Sequence, residues 1–251
     1  MKNIALFFLI SVVFGCKNDA QKTENNLSDI SEKSFRIFKV EDSNYIDLEE
    51  VWAPFQDQLS SFSKEKYEVL KPFIMNQDIP TLQRHIQNKK LSYEALVTFY
   101  IYRINLLDRE NKKSLNSVIS LNTSIIEEAR EKDRKRPKNL SVYSIYGMPI
   151  LLKDNINAKG MVTTAGAVAL MKNTTEDSFL SQQLKSSGAL ILGKANLSEW
   201  AYFFCGDCPS GYSAVGGQTF NPYGRKTLDT GGSSSGSAVA VAANFCAAAI
   251  G

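Results

Sequence analysis

The chain has 251 residues, of which 43% are hydrophobic and 22% are charged, and its formal net charge is +3. This length provides one large domain or two small ones, with enough apolar material for a core. Because 29 basic residues are balanced by 26 acidic ones, the charge does not favour nucleic acid as a partner.

The N-terminus has the pattern of an export signal. One lysine precedes a mostly apolar run from Ile4 to Phe14, which is too short to cross a bilayer. The ending VFGC resembles a bacterial lipobox, in which the cysteine becomes the lipidated first residue. We therefore expect residues 1–16 to be a lipoprotein signal peptide and Cys16 to anchor an exported protein, on the periplasmic face or the cell surface. An ordinary signal peptide with an incidental cysteine is the alternative.

Two segments separate this signal from the main domain. Residues 17–34 contain almost nothing that could be buried, and residues 17–41 are predicted to form a flexible polar tether. Residues 42–78 are predicted to form an N-terminal helical extension. Leu82 and Ile86 then share one face of a further helix, and Ser92 is a plausible N-cap for the helix after it.

Short strands and helices alternate further along the chain. In order, we predict a strand over 117–121, a helix from Ser124 to Lys135, a strand over 150–152 that ends at Lys153, a helix capped by Asp177 and closed by Gly188, and a buried strand from Ala189 to Leu192. Strand, helix and strand in this order favour an α/β domain with at least one parallel crossover.

The cysteines give no sign of a metal site. Cys205 and Cys208 form a lone CxxC motif, and His85 is the only histidine. A structural zinc site would need two more ligands, so we predict none. After export, a disulfide between Cys205 and Cys208 and a pair of free thiols are both open.

The glycine-serine turn Gly231–Ser237 invites three interpretations. A flexible linker does not suit a turn that leads directly into the apolar segment Ser237 to Ile250, which we predict to be a buried helix. A phosphate-binding loop does not suit it either, because Gly236 is not followed by lysine and then serine or threonine, and no G-x-G-x-x-G fits.

The third interpretation is nucleophilic catalysis. A single histidine on the polar side of a helix is a poor base for a Ser-His-Asp triad. A neutral lysine can activate serine instead, and Lys153 follows three apolar residues at a predicted strand end. Desolvation there would lower the pKa of its amine. On spacing alone, a strand-end lysine that reaches to solvent fits the same pattern.

Four ordered segments resemble the amidase signature family: GMPILLKDNI, GKANLSEWA, GYSAVGGQTFNPYG and GGSSSGSAVAVAAN. The sequences of these segments most resemble those of bacterial amidases of the peptide-amidase type. The resemblance implies that residues 79–251 form the N-terminal part of an amidase signature domain, an α/β fold with a mixed central sheet flanked by helices. It also implies hydrolysis of a small-molecule or peptide carboxamide to a carboxylate and ammonia or an amine, without a cofactor.

The resemblance assigns roles to individual residues. Lys153 matches the family lysine, and Ser233 matches the bridging serine, whose preceding peptide bond with Gly232 is cis in the family. Ser233 would then relay the proton of the nucleophile to neutral Lys153. We expect Ser234 and Ser235 to satisfy backbone groups of the turn rather than to take part in chemistry. A loop that approaches the active site in the family contains Gly216, Gly217 and Gln218.

The nucleophilic serine of the family follows the bridging serine in a motif similar to ETDGS. That position is expected a few residues beyond Gly251, so we expect the 251-residue chain alone to be inactive. One alternative is an aminoacyl-tRNA amidotransferase component, although export away from tRNA argues against it. Another is a truncated, non-catalytic lipoprotein.

Overall fold

Four strands form the central sheet of this computed structural model, which describes residues 40–109, 113–204 and 208–251. They are β1 (Val118–Leu121), β2 (Pro149–Lys153), β3 (Leu190–Ala195) and β6 (Ala248–Ile250), in the spatial order β1-β3-β2-β6. Strand β2 is parallel to both β3 and β6, whereas β1 is antiparallel to β3. Two short strands, β4 (Tyr212–Ser213) and β5 (Gly217–Gln218), pair separately. The predicted α/β class with a mixed sheet is confirmed.

Helices account for most of the remaining regular structure. They are α1 (Leu48–Trp52), α2 (Gln56–Ser61), α3 (Lys64–Ile74), α4 (Ile79–Gln87), α5 (Tyr93–Ile104), α6 (Ile125–Arg134), α7 (Phe179–Ser186) and α8 (Ser235–Ala242). Helix α5 begins as predicted, because the Ser92 side chain accepts a 3.0 Å hydrogen bond from the amide of Ala95. This bond satisfies one of the free amides of the first turn.

The core lies on both faces of the sheet. Strand β2 alternates, so that Leu151 packs in the larger cluster of buried side chains while Ile150 and Leu152 pack in a second cluster. The larger cluster also contains Trp52 and Tyr67 from the predicted helical extension. The extension therefore shares one core with the sheet.

Two predicted boundaries differ from the structure. Ser178, not Asp177, caps α7, because Asp177 is occupied by the amide of Lys159 at 2.8 Å and the amine of Lys185 at 2.7 Å. Strand β3 continues past Leu192 to Ala195. Lys194 lies inside this extension. It does not end the strand, because an ion pair with Asp154 neutralises its charge.

The predicted helix from Ser237 to Ile250 is wrong in its second half. Helix α8 ends at Ala242, Asn244 adopts a left-handed φ of 57°, and Ala248–Ile250 form strand β6. A short apolar run fits a buried helix and a buried strand equally well. Pairing with β2 decides between them, and it depends on residues far away in the sequence.

The N-terminal predictions fall mostly outside the described residues. These include Cys16, the signal peptide and all of the tether before Val40. The first described residues already contact the domain: the Glu41 carbonyl accepts a 2.8 Å bond from the amide of Gln218, and the Ser43 hydroxyl donates to the Val215 carbonyl at 2.5 Å. Among the residues described, no helix is both long and apolar enough to cross a membrane.

Candidate active site

Lys153 is the last residue of β2, and its side chain reaches the glycine-serine turn. Its amine donates to the hydroxyl of Ser233 at 2.7 Å and to the hydroxyl of Ser234 at 2.9 Å. Lys153 is only 6% exposed, and this burial lowers the pKa of its amine. Within the described part of the chain it forms no ion pair that would oppose the shift. Burial thus makes the neutral form of this amine, which lies beside two hydroxyl groups, easier to reach than it is in an exposed lysine.

The turn is packed tightly against the segment that follows β3. The peptide bond between Gly232 and Ser233 is cis, and the Ser233 carbonyl accepts a 3.0 Å hydrogen bond from the amide of Ser198. A Cβ atom on Gly232 would lie 2.4 Å from the Tyr202 hydroxyl and 2.8 Å from the Ser198 hydroxyl. Only glycine fits at this position without displacing its neighbours.

The serines of the turn have different partners. Ser235 satisfies a backbone group as predicted, because its hydroxyl donates to the Gly231 carbonyl at 2.5 Å. Ser234 does not follow that prediction, since its hydroxyl accepts from the Lys153 amine. Because Ser234 directly precedes α8, the start of the helix points its side chain back towards β2. The lysine therefore has two serine neighbours, where sequence reasoning assigned one.

The predicted loop of Gly216, Gly217 and Gln218 packs against Asn196. A Cβ atom on Gly216 would lie 2.2 Å from the side chain of Asn196, whose amide donates to the Gly217 carbonyl at 3.0 Å. Gln218 donates from its side chain to the Ser210 carbonyl at 2.7 Å. No hydrogen bond links this loop to the lysine or the bridging serine among the residues described. Asn196 connects the loop to the turn, because its backbone carbonyl accepts a hydrogen bond from the amide of Gly236 in the first turn of α8.

A buried ion pair next to Lys153 was missed by sequence reasoning. The Lys194 amine lies 2.9 Å from the Asp154 carboxylate, and the two side chains are 0% and 1% exposed. Thr164 donates to the same carboxylate from its amide at 3.1 Å and also from its hydroxyl. The Lys194 amine donates to the Thr163 hydroxyl at 2.9 Å. Burial lowers the pKa of Lys194, and the Asp154 charge opposes this effect. The only sequence signal was a lysine inside the apolar run ILGKA.

Strand β6 ends beside the same turn. Ile250 pairs with Leu152, so the carboxyl ends of β2 and β6 meet at one edge of the sheet. A Cβ atom on Gly251 would lie 2.8 Å from the Cβ atom of Ser234. The Ser237 hydroxyl donates to the Ile250 carbonyl at 2.9 Å and fixes the strand against α8.

Aromatic side chains flank the turn on the side of Tyr202. The Tyr202 hydroxyl donates to the hydroxyl of Ser210 at 2.5 Å, while Phe203 and Phe204 pack edge to face and are largely exposed. Cys208 is disulfide-bonded, and Cys205 lies outside the described residues. No cluster of three potential metal ligands occurs among the residues that the structure describes.

Comparison with known proteins decides the family. The family model described as Amidase matches residues 95–251. The chain belongs to the amidase signature family. A probable amidase of Arabidopsis thaliana is 39% identical to this amidase-family chain over 182 residues, which cover 71% of the chain and 35% of the relative. A glutamyl-tRNA(Gln) amidotransferase component of Prochlorococcus marinus is 36% identical over 173 residues, covering 68% of the chain and 34% of the relative. The chain spans about a third of the length of these curated relatives.

Solved structures of amidases support the same fold. An amidase family protein from Bacillus anthracis superposes with a TM-score of 0.76 at 40% identity, covering 84% of this chain and 42% of that protein. A peptide amidase in complex with the competitive inhibitor chymostatin superposes with a TM-score of 0.65 at 46% identity, covering 70% and 36%. The predicted membership and the predicted amidase fold are both confirmed.

Proposed function

We propose that this amidase-family chain carries the proton-relay half of an amide-hydrolysing site, with Lys153 as the base and Ser233 as the bridging serine. The observation that carries this proposal is the 2.7 Å hydrogen bond from the Lys153 amine to the Ser233 hydroxyl. Burial lowers the pKa of Lys153, and a lowered pKa favours the neutral form in which a lysine acts as a base. Family membership supports amide hydrolysis as the general chemistry.

The relay accounts for both halves of the reaction. A nucleophilic serine oxygen attacks the amide carbon, while its proton passes to the Ser233 hydroxyl and the Ser233 proton passes to the Lys153 amine. Collapse of the tetrahedral intermediate breaks the C–N bond, while Ser233 donates a proton to the leaving nitrogen and takes one back from the Lys153 ammonium. Water then cleaves the acyl ester by the same path and releases the carboxylate.

The nucleophile of this scheme is proposed to lie beyond Gly251. Support comes from the pairing of Ile250 with Leu152, since a chain that continues from β6 leaves the sheet at the edge where Lys153 ends β2. The short distance between Gly251 and Ser234 supports the same exit point. In this proposal the following residues would also supply the backbone amides that stabilise the oxyanion.

The proposed substrate is a small-molecule or peptide carboxamide. Support comes from the peptide amidase that binds chymostatin, which is 46% identical to this chain over the matched region. A second candidate is an amidotransferase component, supported by the 36% identity to the Prochlorococcus protein. Hydrolysis of glutamine without hydrolysis of other amides would favour this second candidate. For location, we propose an exported protein anchored through Cys16, as the lipobox-like sequence predicts.

An activity assay on a form extended beyond Gly251 tests the proposal. The extended form should hydrolyse a simple amide or a C-terminally amidated peptide, and Ser233→Ala should lower kcat by several orders of magnitude. Ser235→Ala is the matched control, because this serine lies in the same turn but bonds only a backbone carbonyl. It should retain most of the activity.

The 251-residue chain provides the opposite arm of this test. It should show no turnover above background, since base and relay alone lack a nucleophile and an oxyanion site. Clear turnover by this chain that Ser233→Ala abolishes would identify Ser233 itself as the nucleophile and would contradict the relay.

A further inference from the structure

The buried ion pair between Asp154 and Lys194 lies next to the proposed base, Lys153. Asp154 is the residue after Lys153, and Lys194 lies opposite Leu152 in the pairing of β3 with β2. Both side chains are withdrawn from solvent, and their 2.9 Å contact lies in the interior. Burying two charges is costly, and an apolar pair of similar volume would often be at least as stable. Stability alone is therefore a weak explanation for this pair.

Backbone and side-chain hydrogen bonds of Asp154 also fix the end of β2. The Asp154 amide donates to the Ala195 carbonyl at 3.0 Å, which extends the sheet pairing one residue beyond Lys153. The Asp154 carbonyl accepts from the amide of Ala165 at 2.9 Å, and its carboxylate accepts from the amide of Thr164. The backbone on the carboxyl side of Lys153 is thus held by a strand and by a loop at once.

We propose that Asp154 and Lys194 act as a positioning pair for Lys153, holding the end of β2 and cancelling each other's charge so that neither charge alters the protonation of the lysine amine. This inference rests on the proposed role of Lys153 as the base. Either charge alone would act on Lys153 through the protein interior. Neighbouring Cα atoms are about 3.8 Å apart and alternate side chains point to opposite faces, which places the charges on the order of 10 Å from the amine.

Other charged groups near the site are held differently. Glu199, on the segment after β3, accepts a 2.7 Å bond from the amide of Ala214. Asp229, before the turn, accepts a 2.7 Å bond from the amide of Gly231. The groups that face Lys153 directly are the neutral hydroxyls of Ser233 and Ser234. Of these charged groups, the Asp154–Lys194 pair is therefore the one that is joined to Lys153 through strand β2.

The two single substitutions should have different effects on the titration of Lys153. Asp154→Asn leaves Lys194 buried without its counter-ion, and because burial already lowers the pKa of this amine, Lys194 should lose its proton and the Lys153 midpoint should change little. Lys194→Met leaves the negative charge of Asp154 and should raise the midpoint. At an effective dielectric constant of about 20, a charge about 10 Å away shifts a midpoint by roughly one pH unit. The double variant should restore the original midpoint.

The measurement is a pH titration by 13C NMR of the 251-residue chain labelled at the ε-carbon of lysine. The Lys153 signal is assigned by its loss in Lys153→Arg. Lys185→Met is the matched control, because Lys185 lies on α7, away from β2, and its loss removes an ion pair with Asp177. This variant should leave the midpoint unchanged. Circular dichroism and thermal unfolding of each variant report whether it folds.

A raised midpoint in Lys194→Met that the double variant reverses, with little change in Asp154→Asn, would support the inference. Equal midpoints in all folded variants would overturn it, as would loss of the folded state in both single variants, which would assign the pair to stability alone. The titration needs no turnover. Shifts without amidase activity in the extended form would therefore reject the proposed function, whereas activity without shifts would reject only the positioning role.

Discussion

The Ser233 hydroxyl lies 2.7 Å from the Lys153 amine, although the two residues belong to different elements of the fold. Lys153 ends the central strand β2, and Ser233 lies on the turn that precedes α8. Their contact therefore depends on the packing of α8 against the sheet.

The pH dependence of activity should report the ionisation of Lys153. Burial lowers the pKa of this amine below its usual value of 10.5. Because the base acts in its neutral form, kcat/KM of the extended form should rise with pH through this lowered pKa and then level off. Lys153→Arg should be inactive throughout, since guanidinium does not lose its proton in this range. A rate that does not change with pH, or substantial activity of the arginine variant, would exclude a neutral lysine base.

Gly232→Ala should destabilise the turn through a steric clash. The new Cβ atom would approach the Tyr202 hydroxyl to 2.4 Å, and overpacking of this kind costs about 1–3 kcal/mol in the free energy of unfolding. Tyr202→Phe should restore part of the loss in the double variant. The measurement is urea denaturation of the 251-residue chain.

Gly231→Ala separates this clash from backbone strain. Gly231 has a left-handed φ of 65°, and a Cβ atom there would meet nothing within 4 Å. Its cost should be about 1–2 kcal/mol, and Tyr202→Phe should not reduce it. Equal rescue of both alanine variants would show that the tyrosine hydroxyl is not the obstacle.

Cys246 should resist alkylation in the folded protein. This free thiol is buried beneath the sheet, and burial raises its pKa to about 12. The reactive thiolate is therefore scarce at pH 8, and the reagent has little access. Treatment with iodoacetamide followed by mass spectrometry should modify Cys246 only after urea is added. Modification at the same rate with and without urea would show that this part of the core is open.

Cys16→Ser should release the protein from the membrane fraction. The prediction rests on the lipobox-like ending of the apolar N-terminal run, and a lipid chain on this cysteine would be the anchor. Fractionation of cells that express the 251-residue chain and the variant provides the measurement. Cys246→Ser is a suitable control, because a buried thiol cannot serve as an anchor. An unchanged distribution of Cys16→Ser would refute the lipoprotein prediction.

Local patterns predicted the elements that carry the site. The apolar run before Lys153 identified β2, and the glycine pair before Ser233 marked the turn. Both signals are short-range, because they depend on a few consecutive residues whose burial or backbone geometry is unusual. The pairing of the two side chains was supplied by resemblance to the family, since nothing in either segment specifies the other.

Long-range relationships account for what sequence reasoning missed. The run from Ala248 to Ile250 forms a strand only because β2 offers a parallel partner. Lys194 is tolerated in the interior only because Asp154, the residue after β2, lies beside it and forms an ion pair. The second serine contact of Lys153 depends on how α8 begins. In each case the deciding partner is distant in sequence, where hydrophobic periodicity carries no information.

The topology of β2 also bears on how this chain folds during synthesis. Both hydrogen-bonded neighbours of this strand, β3 and β6, follow it in the sequence, and the partner of Ile150 in β6 is Ala248. On the ribosome, the strand with the sequence PILLK therefore emerges with two unpaired edges and two apolar faces. Parallel pairing between distant segments forms slowly and exposes apolar strands to association with other chains. We expect nascent chains that stop before β6 to be bound by chaperones and those that include it to be released.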